Sequence, residues 1–138
     1  MSIKVAGAFA LAAVTVAVVW GGLAVRADEF TKEDLERWQN EYMSVVAKGR
    51  ELWTSPTLGT NGVACAQCHP NAANTHPETY PKFQKQLGKV IALRDMINWC
   101  LRNPLEGAPL ELDDPNMIAL EAYVMYERRG VELAPGKH

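Results

Sequence analysis

Cysteine is scarce in this chain of 138 residues: there are three, an odd number. That excludes a framework in which disulfides consume every thiol. A dominant charge sign is also missing, because 14 Lys and Arg face 16 Asp and Glu for a net charge of −2. No basic field therefore marks the chain for nucleic acid. Nowhere do β-branched and polar residues alternate over a useful length, and no internal repeat or low-complexity segment is visible. These absences argue against a sheet-built fold. The length leaves room for one domain.

What is present first is a long uncharged run. Val5–Val25, "VAGAFALAAVTVAVVWGGLAV", lies between Lys4 and Arg26 and holds 21 residues, enough to span a bilayer as a helix. The same run has a basic start and the small-residue end Val25-Arg26-Ala27, which is also the form of a secretory signal. Residues 1–27 are read as a signal peptide or an uncleaved membrane anchor, an apolar N-terminal helix either way. Both readings carry residues 28–138 across the membrane, which places that domain in a periplasm. Membrane contact follows only if the helix is retained. In an exported domain, something other than disulfide pairing must occupy at least one of the three cysteines.

Helical signals fill most of the exported part. Thr31-Lys32-Glu33-Asp34 is a capping start, with a hydroxyl for the free backbone amides and acids near the positive helix end. Leu35, Trp38, Tyr42, Val45, Val46, Gly49, Leu52 and Trp53 then recur at three- and four-residue spacing, so an amphipathic helix should end near Thr54-Ser55-Pro56. Leu58–Val63 and Asn71–Pro81 read as loops. Leu93, Met96, Ile97, Cys100 and Leu101 share one face of a short helix that stops before Asn103-Pro104. Asp114-Pro115 opens a last helix, with Ile118, Ala122, Tyr123, Val124 and Met125 as its apolar residues. Arg128-Arg129-Gly130 closes it. The expectation is all-α.

Between the first two helices lies "VACAQCHPN". Two thiols spaced C-x-x-C add across the two vinyl groups of a porphyrin, and a histidine directly after them is delivered to the iron. Cys65, Cys68 and His69 therefore have the form of a covalent haem c attachment site. Cys65, Cys68, Cys100 and either His69 or His76 would also serve as a tetrahedral Cys3His zinc set, but zinc has no need of the histidine at that position. A thioredoxin-like redox pair needs a βαβ setting that the chain lacks. The iron's sixth position has several candidates: Cys100, Met96 one turn earlier on the same face, Met117, Met125 and His76. A methionine raises the reduction potential and a thiolate lowers it. Cys100 also has the simpler reading of a buried small hydrophobe, and Met117 and Met125 that of core filling.

A long first helix with Gly49 and Trp53 near its end, C-x-x-C-H soon after, and a last helix carrying "LEAYV" together resemble the class I cytochrome c fold. The resemblance implies an all-α, class I cytochrome c-like domain around one covalent haem. Its first and last helices would cross at Gly49, Trp53, Leu120 and Tyr123. More narrowly, residues 65–130 resemble the haem domains of the SoxA subunit of the thiosulfate-oxidising SoxAX cytochrome complex. The matching text is "CAQCH", "YPKFQKQLGKVIALRDMINWC" and "IALEAYV". Similar histidine–cysteine haems occur in thiosulfate dehydrogenases. This likeness covers about half the chain and implies that Cys100 ligates the iron opposite His69. The departure is in length: SoxA proteins carry two such domains, with the catalytic cysteine in the second, and this chain carries one.

Three functions are consistent with these residues. The first is an exported monohaem carrier of electrons in the oxidation of thiosulfate or a related sulfur compound, facing redox partner proteins that include a second cytochrome subunit. The second is a SoxA-like thiosulfotransferase subunit with Cys100 as sulfur acceptor. The third is a haem subunit of a membrane complex held by the N-terminal helix.

Overall fold

A computed structural model describes residues 29–133. The apolar run 5–25, and with it both readings of residues 1–27, lies outside the described residues. No helix among the described residues is long and apolar enough to cross a membrane.

Helix α1 spans Lys32–Thr54 and begins where the capping residues predict. The Thr31 hydroxyl accepts from the Asp34 amide at 3.0 Å, and the Asp34 carboxylate accepts from the Thr31 amide at 3.3 Å. Helix α2 is the single turn Cys65–Cys68, α3 is Leu93–Arg102 and α4 is Pro115–Glu127. Asp114 caps α4 by accepting from the Asn116 amide at 2.7 Å, and Pro115 takes the first position, where its missing N–H costs nothing.

α1 and α4 cross at Gly49. A methyl group there would come within 2.7 Å of Tyr123 Cβ and would strike the Ala119 carbonyl, so only glycine lets the backbones approach this closely. Trp53 and Tyr123 pack beside it with ring centroids 5.7 Å apart, and Leu120 is fully buried. The expected crossing set of Gly49, Trp53, Leu120 and Tyr123 is thus assembled.

Three expectations are corrected. The apolar stripe of α1 is buried only in its second half, at Val46, Gly49 and Trp53, while Leu35, Trp38 and Tyr42 are exposed. With 1.5 Å of rise per residue, the 23 residues of α1 run about 35 Å and the 13 of α4 about 20 Å, so α1 outruns its partner. Met117 is 0% exposed and fills the core as expected, but Met125 is 53% exposed. Met125 and the exposed Ile118 are seven residues apart, on the stripe of α4 opposite the one that packs. Finally, the helical class expected is found, but with one small strand pair where no strand was expected. Strands β1, Lys82–Gln84, and β2, Lys89–Ile91, form an antiparallel hairpin between the C-x-x-C-H segment and α3. Three-residue strands are too short for alternation to register as a pattern.

Candidate haem site

A cavity of about 400 Å³ opens between α2, the hairpin and α3. Cys65, Cys68 and His69 line it from one side of the sequence, and Met96, Trp99 and Cys100 line it from α3. Trp53, Tyr80, Leu93, Ile97, Leu105 and Val124 supply apolar walls. His76, Met117 and Met125 are not among the lining residues.

The first wall is built locally. The Cys65 carbonyl accepts from the His69 amide at 2.9 Å, closing the α2 turn, and Gln67 Oε1 accepts from the Ala64 amide at 3.1 Å. Past His69 the chain doubles back through residues 70–76, with Asn71, Ala72, Asn74 and His76 all at positive φ. Ala72 adopts φ 55 while fully buried, a conformation that costs a residue with a Cβ about 1–3 kcal/mol. The result of this fold-back is specific. The Ala73 carbonyl lies 2.8 Å from His69 Nδ1. A carbonyl only accepts, so Nδ1 carries the hydrogen and Nε2 keeps its lone pair for a metal. From behind, Trp53 Nε1 donates to the His69 carbonyl at 2.9 Å.

The second wall is tied by long-range bonds. Asn98 is buried and bonds Leu110 twice, donating to its carbonyl and accepting from its amide, both at 2.8 Å. Arg94 pairs with Glu121 of α4 at 2.7 Å, and its guanidinium also donates to the Leu112 carbonyl. These contacts turn Asn98 and Arg94 away from the cavity and leave Met96 and Cys100 facing it. The two walls are then joined to each other. Thr60 donates its amide to the Leu105 carbonyl at 3.0 Å and its hydroxyl to the Glu106 carbonyl at 2.8 Å, and Asn61 donates to the Pro104 carbonyl at 2.8 Å. Gly59 makes this clasp possible, because a Cβ there would sit 2.7 Å from that of Leu105.

None of the three cysteines is in a disulfide. Burial pushes the Cys65 thiol up to about 11, with Cys100 adding to the effect, and it pushes Cys100 up to about 11, with Cys68 adding. Among the described residues no three His, Cys, Asp or Glu side chains gather into a metal-holding group, so the Cys3His zinc set is not assembled. His76 instead meets Glu78 at 3.1 Å. The donors do suit a covalently attached porphyrin, with two thiols one helical turn apart, a histidine whose Nε2 is free, and an apolar slot. Sequence reasoning missed Lys82, Gln84 and Gln86, which line the cavity from the hairpin, and Asn98, which sets the pose of α3.

Comparisons with known proteins agree with this geometry. The family described as SoxA/TsdA, cytochrome c domain, matches residues 48–133. The SoxA subunit of the L-cysteine S-thiosulfotransferase of Rhodovulum sulfidophilum is 28% identical over 116 residues, covering 82% of this chain and 40% of that one. The thiosulfate dehydrogenase of Allochromatium vinosum is 32% identical over 88 residues, 55% of this chain and 33% of the relative. The crystal structure of SoxXA from P. pantotrophus superposes with a TM-score of 0.61 at 26% identity, covering 72% of this chain and 39% of that one. The chain spans about two fifths of the length of the curated SoxA relatives it matches. Because the family match takes in more than half the chain and both walls of the cavity, the chain belongs to the SoxA/TsdA cytochrome c domain family, with one covalently bound haem c as its cofactor.

Proposed function

We propose that this chain is an exported, single-haem electron-transfer module that works in the oxidation of thiosulfate or a related sulfur compound. In this reading Cys65 and Cys68 carry the thioether bonds, His69 is the proximal ligand and Cys100 the distal one. The observation that carries it is the convergence of Cys65, Cys68, His69 and Cys100 on one apolar cavity. When bound, haem c supplies a one-electron ferric–ferrous couple whose potential follows its axial ligands and surroundings. The protein's part is orientation and exclusion of water. Ala73 and Trp53 hold the His69 imidazole in its tautomer and place, and Leu93, Ile97 and Leu105 keep the slot dry. Residues 28–138 are the exported domain, and residues 1–27 its signal or its anchor. Redox proteins, a second cytochrome subunit among them, are the partners.

A second reading keeps Cys100 as a sulfur acceptor, as the name of the Rhodovulum relative invites. Its support is that Cys100 is only half-buried. Against it, Arg94 is engaged with Glu121 and lines no part of the cavity, and the lysine that does line it, Lys82, is held by the Thr79 hydroxyl.

The test is spectroscopic. Optical and electron spin resonance spectra of the purified full-length haem protein are recorded for wild type, Cys100→Ala and Met96→Leu. Cys100→Ala should change the low-spin signature and Met96→Leu should leave it in place. A methionine–iron charge-transfer band in the wild type, or a signature indifferent to Cys100→Ala, sinks thiolate ligation. Mass spectrometry of the same samples reads whether residues 1–27 remain and whether Cys100 carries added sulfur.

A further inference from the structure

The cavity is polar on one side. From α3 come Met96, Ile97, Trp99 and Cys100, whereas Asn74 and Thr75 of the fold-back and Lys82, Gln84 and Gln86 of the hairpin bring its polar lining. Lys82 is the one lysine or arginine among the lining residues, and no Asp or Glu lines the cavity with it. Lys32, Arg37, Lys48 and Arg94 each have a carboxylate within ion-pair distance, but among the described residues Lys82 has none.

Lys82 is nevertheless held in place. It is half-buried on β1, the Thr79 hydroxyl accepts from its Nζ at 2.9 Å, and Nζ sits 4.3 Å from the centre of the Tyr80 ring. An ammonium carries three hydrogens, so two remain for another acceptor. Tyr80 lines the cavity too. Its hydroxyl accepts from Gln84 Nε2 at 3.3 Å, and its own proton has no acceptor among the described residues. A neutral oxygen and a ring face compensate a partly desolvated cation less than a carboxylate does. The two side chains thus form a set of donors for an anion that the described chain does not supply.

The haem c of this family supplies one. Its two carboxylates lie on the half of the macrocycle opposite the vinyl carbons, and in the attachment proposed above those carbons are bound to Cys65 and Cys68. We propose that Lys82 and Tyr80 are the seat of a haem carboxylate, so that the hairpin is the wall that receives the polar edge of the macrocycle. The proposal rests on that attachment. A carboxylate tethered through the macrocycle meets Lys82 at a high effective concentration, so it prevails over a dissolved sulfur oxyanion. Lys82 then has a second consequence. A positive charge beside the haem favours the ferrous iron, which is the less positive state, so Lys82 raises the potential.

The test uses the full-length haem protein as wild type, Lys82→Met, Lys82→Arg and Tyr80→Phe. Each is titrated potentiometrically, and the propionate bending band is read by resonance Raman. Methionine keeps most of the apolar stem of Lys82, so covalent attachment and the low-spin spectrum should be unchanged. Lys82→Met should raise the ferric-to-ferrous ratio at a fixed poise about tenfold, a fall of about 59 mV for a one-electron couple, and should shift the band. Tyr80→Phe should do the same to a smaller extent, and Lys82→Arg should restore both readings. A Lys82→Met protein with the wild-type potential and band overturns the seat. So does a wild-type spectrum that shifts on addition of thiosulfate, if Lys82→Met loses that shift while its propionate band stays in place, because the lysine then serves a free anion. Haem staining on a denaturing gel separates the two readings. Staining that survives Cys65→Ser/Cys68→Ser sinks the attachment and the seat with it. Staining lost in that variant, beside an indifferent Lys82→Met, sinks the seat alone.

Discussion

The Cys65–His69 turn reaches the cavity on one turn of helix and a tight fold-back, while Met96 and Cys100 arrive on the face of a ten-residue helix. Almost every bond that shapes the first wall closes within ten residues, from the Ala64 amide to the Ala73 carbonyl. The second wall depends on partners far along the chain: Leu110 for Asn98, Glu121 for Arg94, and the Thr60–Asn61 clasp for the loop after α3. One wall is set by local backbone geometry and the other by the packing of the whole domain. The first should therefore keep its structure under changes that displace the second.

The largest effect is expected from removing the proposed covalent anchors of the first wall. Cys65→Ser/Cys68→Ser should abolish covalent haem altogether, read as loss of haem-staining protein on a denaturing gel. Cys100→Ala, a change in the second wall, should leave that staining intact. Haem that stays covalently attached in the double variant refutes the assignment of Cys65 and Cys68.

A smaller effect is expected where the walls are joined. Gly59→Ala forces a methyl group against Leu105 and should cost about 1–3 kcal/mol. For a domain of this size that is a fall in Tm of roughly 4–8 °C per kcal/mol. Covalent attachment should be unchanged while the low-spin spectrum broadens, because the α3 side moves and the α2 side does not. An unchanged Tm would mean that the clasp yields without cost.

The smallest effect is at the back of the first wall. Trp53→Phe removes the bond to the His69 carbonyl but leaves that carbonyl accepting from the Ala72 amide at 3.1 Å. The loss should be about 1–2 kcal/mol, one hydrogen bond plus a small void, with ligation preserved. Chemical denaturation of the haem protein measures it. A spectrum altered as strongly as by Cys100→Ala would show that the first wall is less self-sufficient than its local bonds imply.

The same division runs through what could be read beforehand. Helix starts were legible at Thr31 and Asp114 because a cap is satisfied by residues two or three positions away. The Gly49 crossing was legible through resemblance, and its reason is a backbone approach that excludes any Cβ. The hairpin was not legible. Its strands are three residues long, and its order comes from Ile91 entering the core and Gln84 reaching Met96. Nor did the stripe of α1 reveal where α4 would stop covering it, so Leu35 and Trp38 had the pattern of core residues without a partner to bury them.

By itself, the sequence determined the form of the proposed attachment site. Two thiols and a histidine in C-x-x-C-H are set by covalent geometry within five residues, and helix caps by hydrogen bonds within one turn. Only the tertiary structure decided which side chains share the cavity with them. Met96, Cys100, Met117 and Met125 were all candidates on paper, and the Asn98–Leu110 and Arg94–Glu121 ties bring the first two to the cavity. Of the others, Met117 is buried in the core and Met125 faces solvent. The physical reason is range. A helix face is fixed by its own periodicity, but the direction that face takes is set by contacts that sequence spacing does not encode.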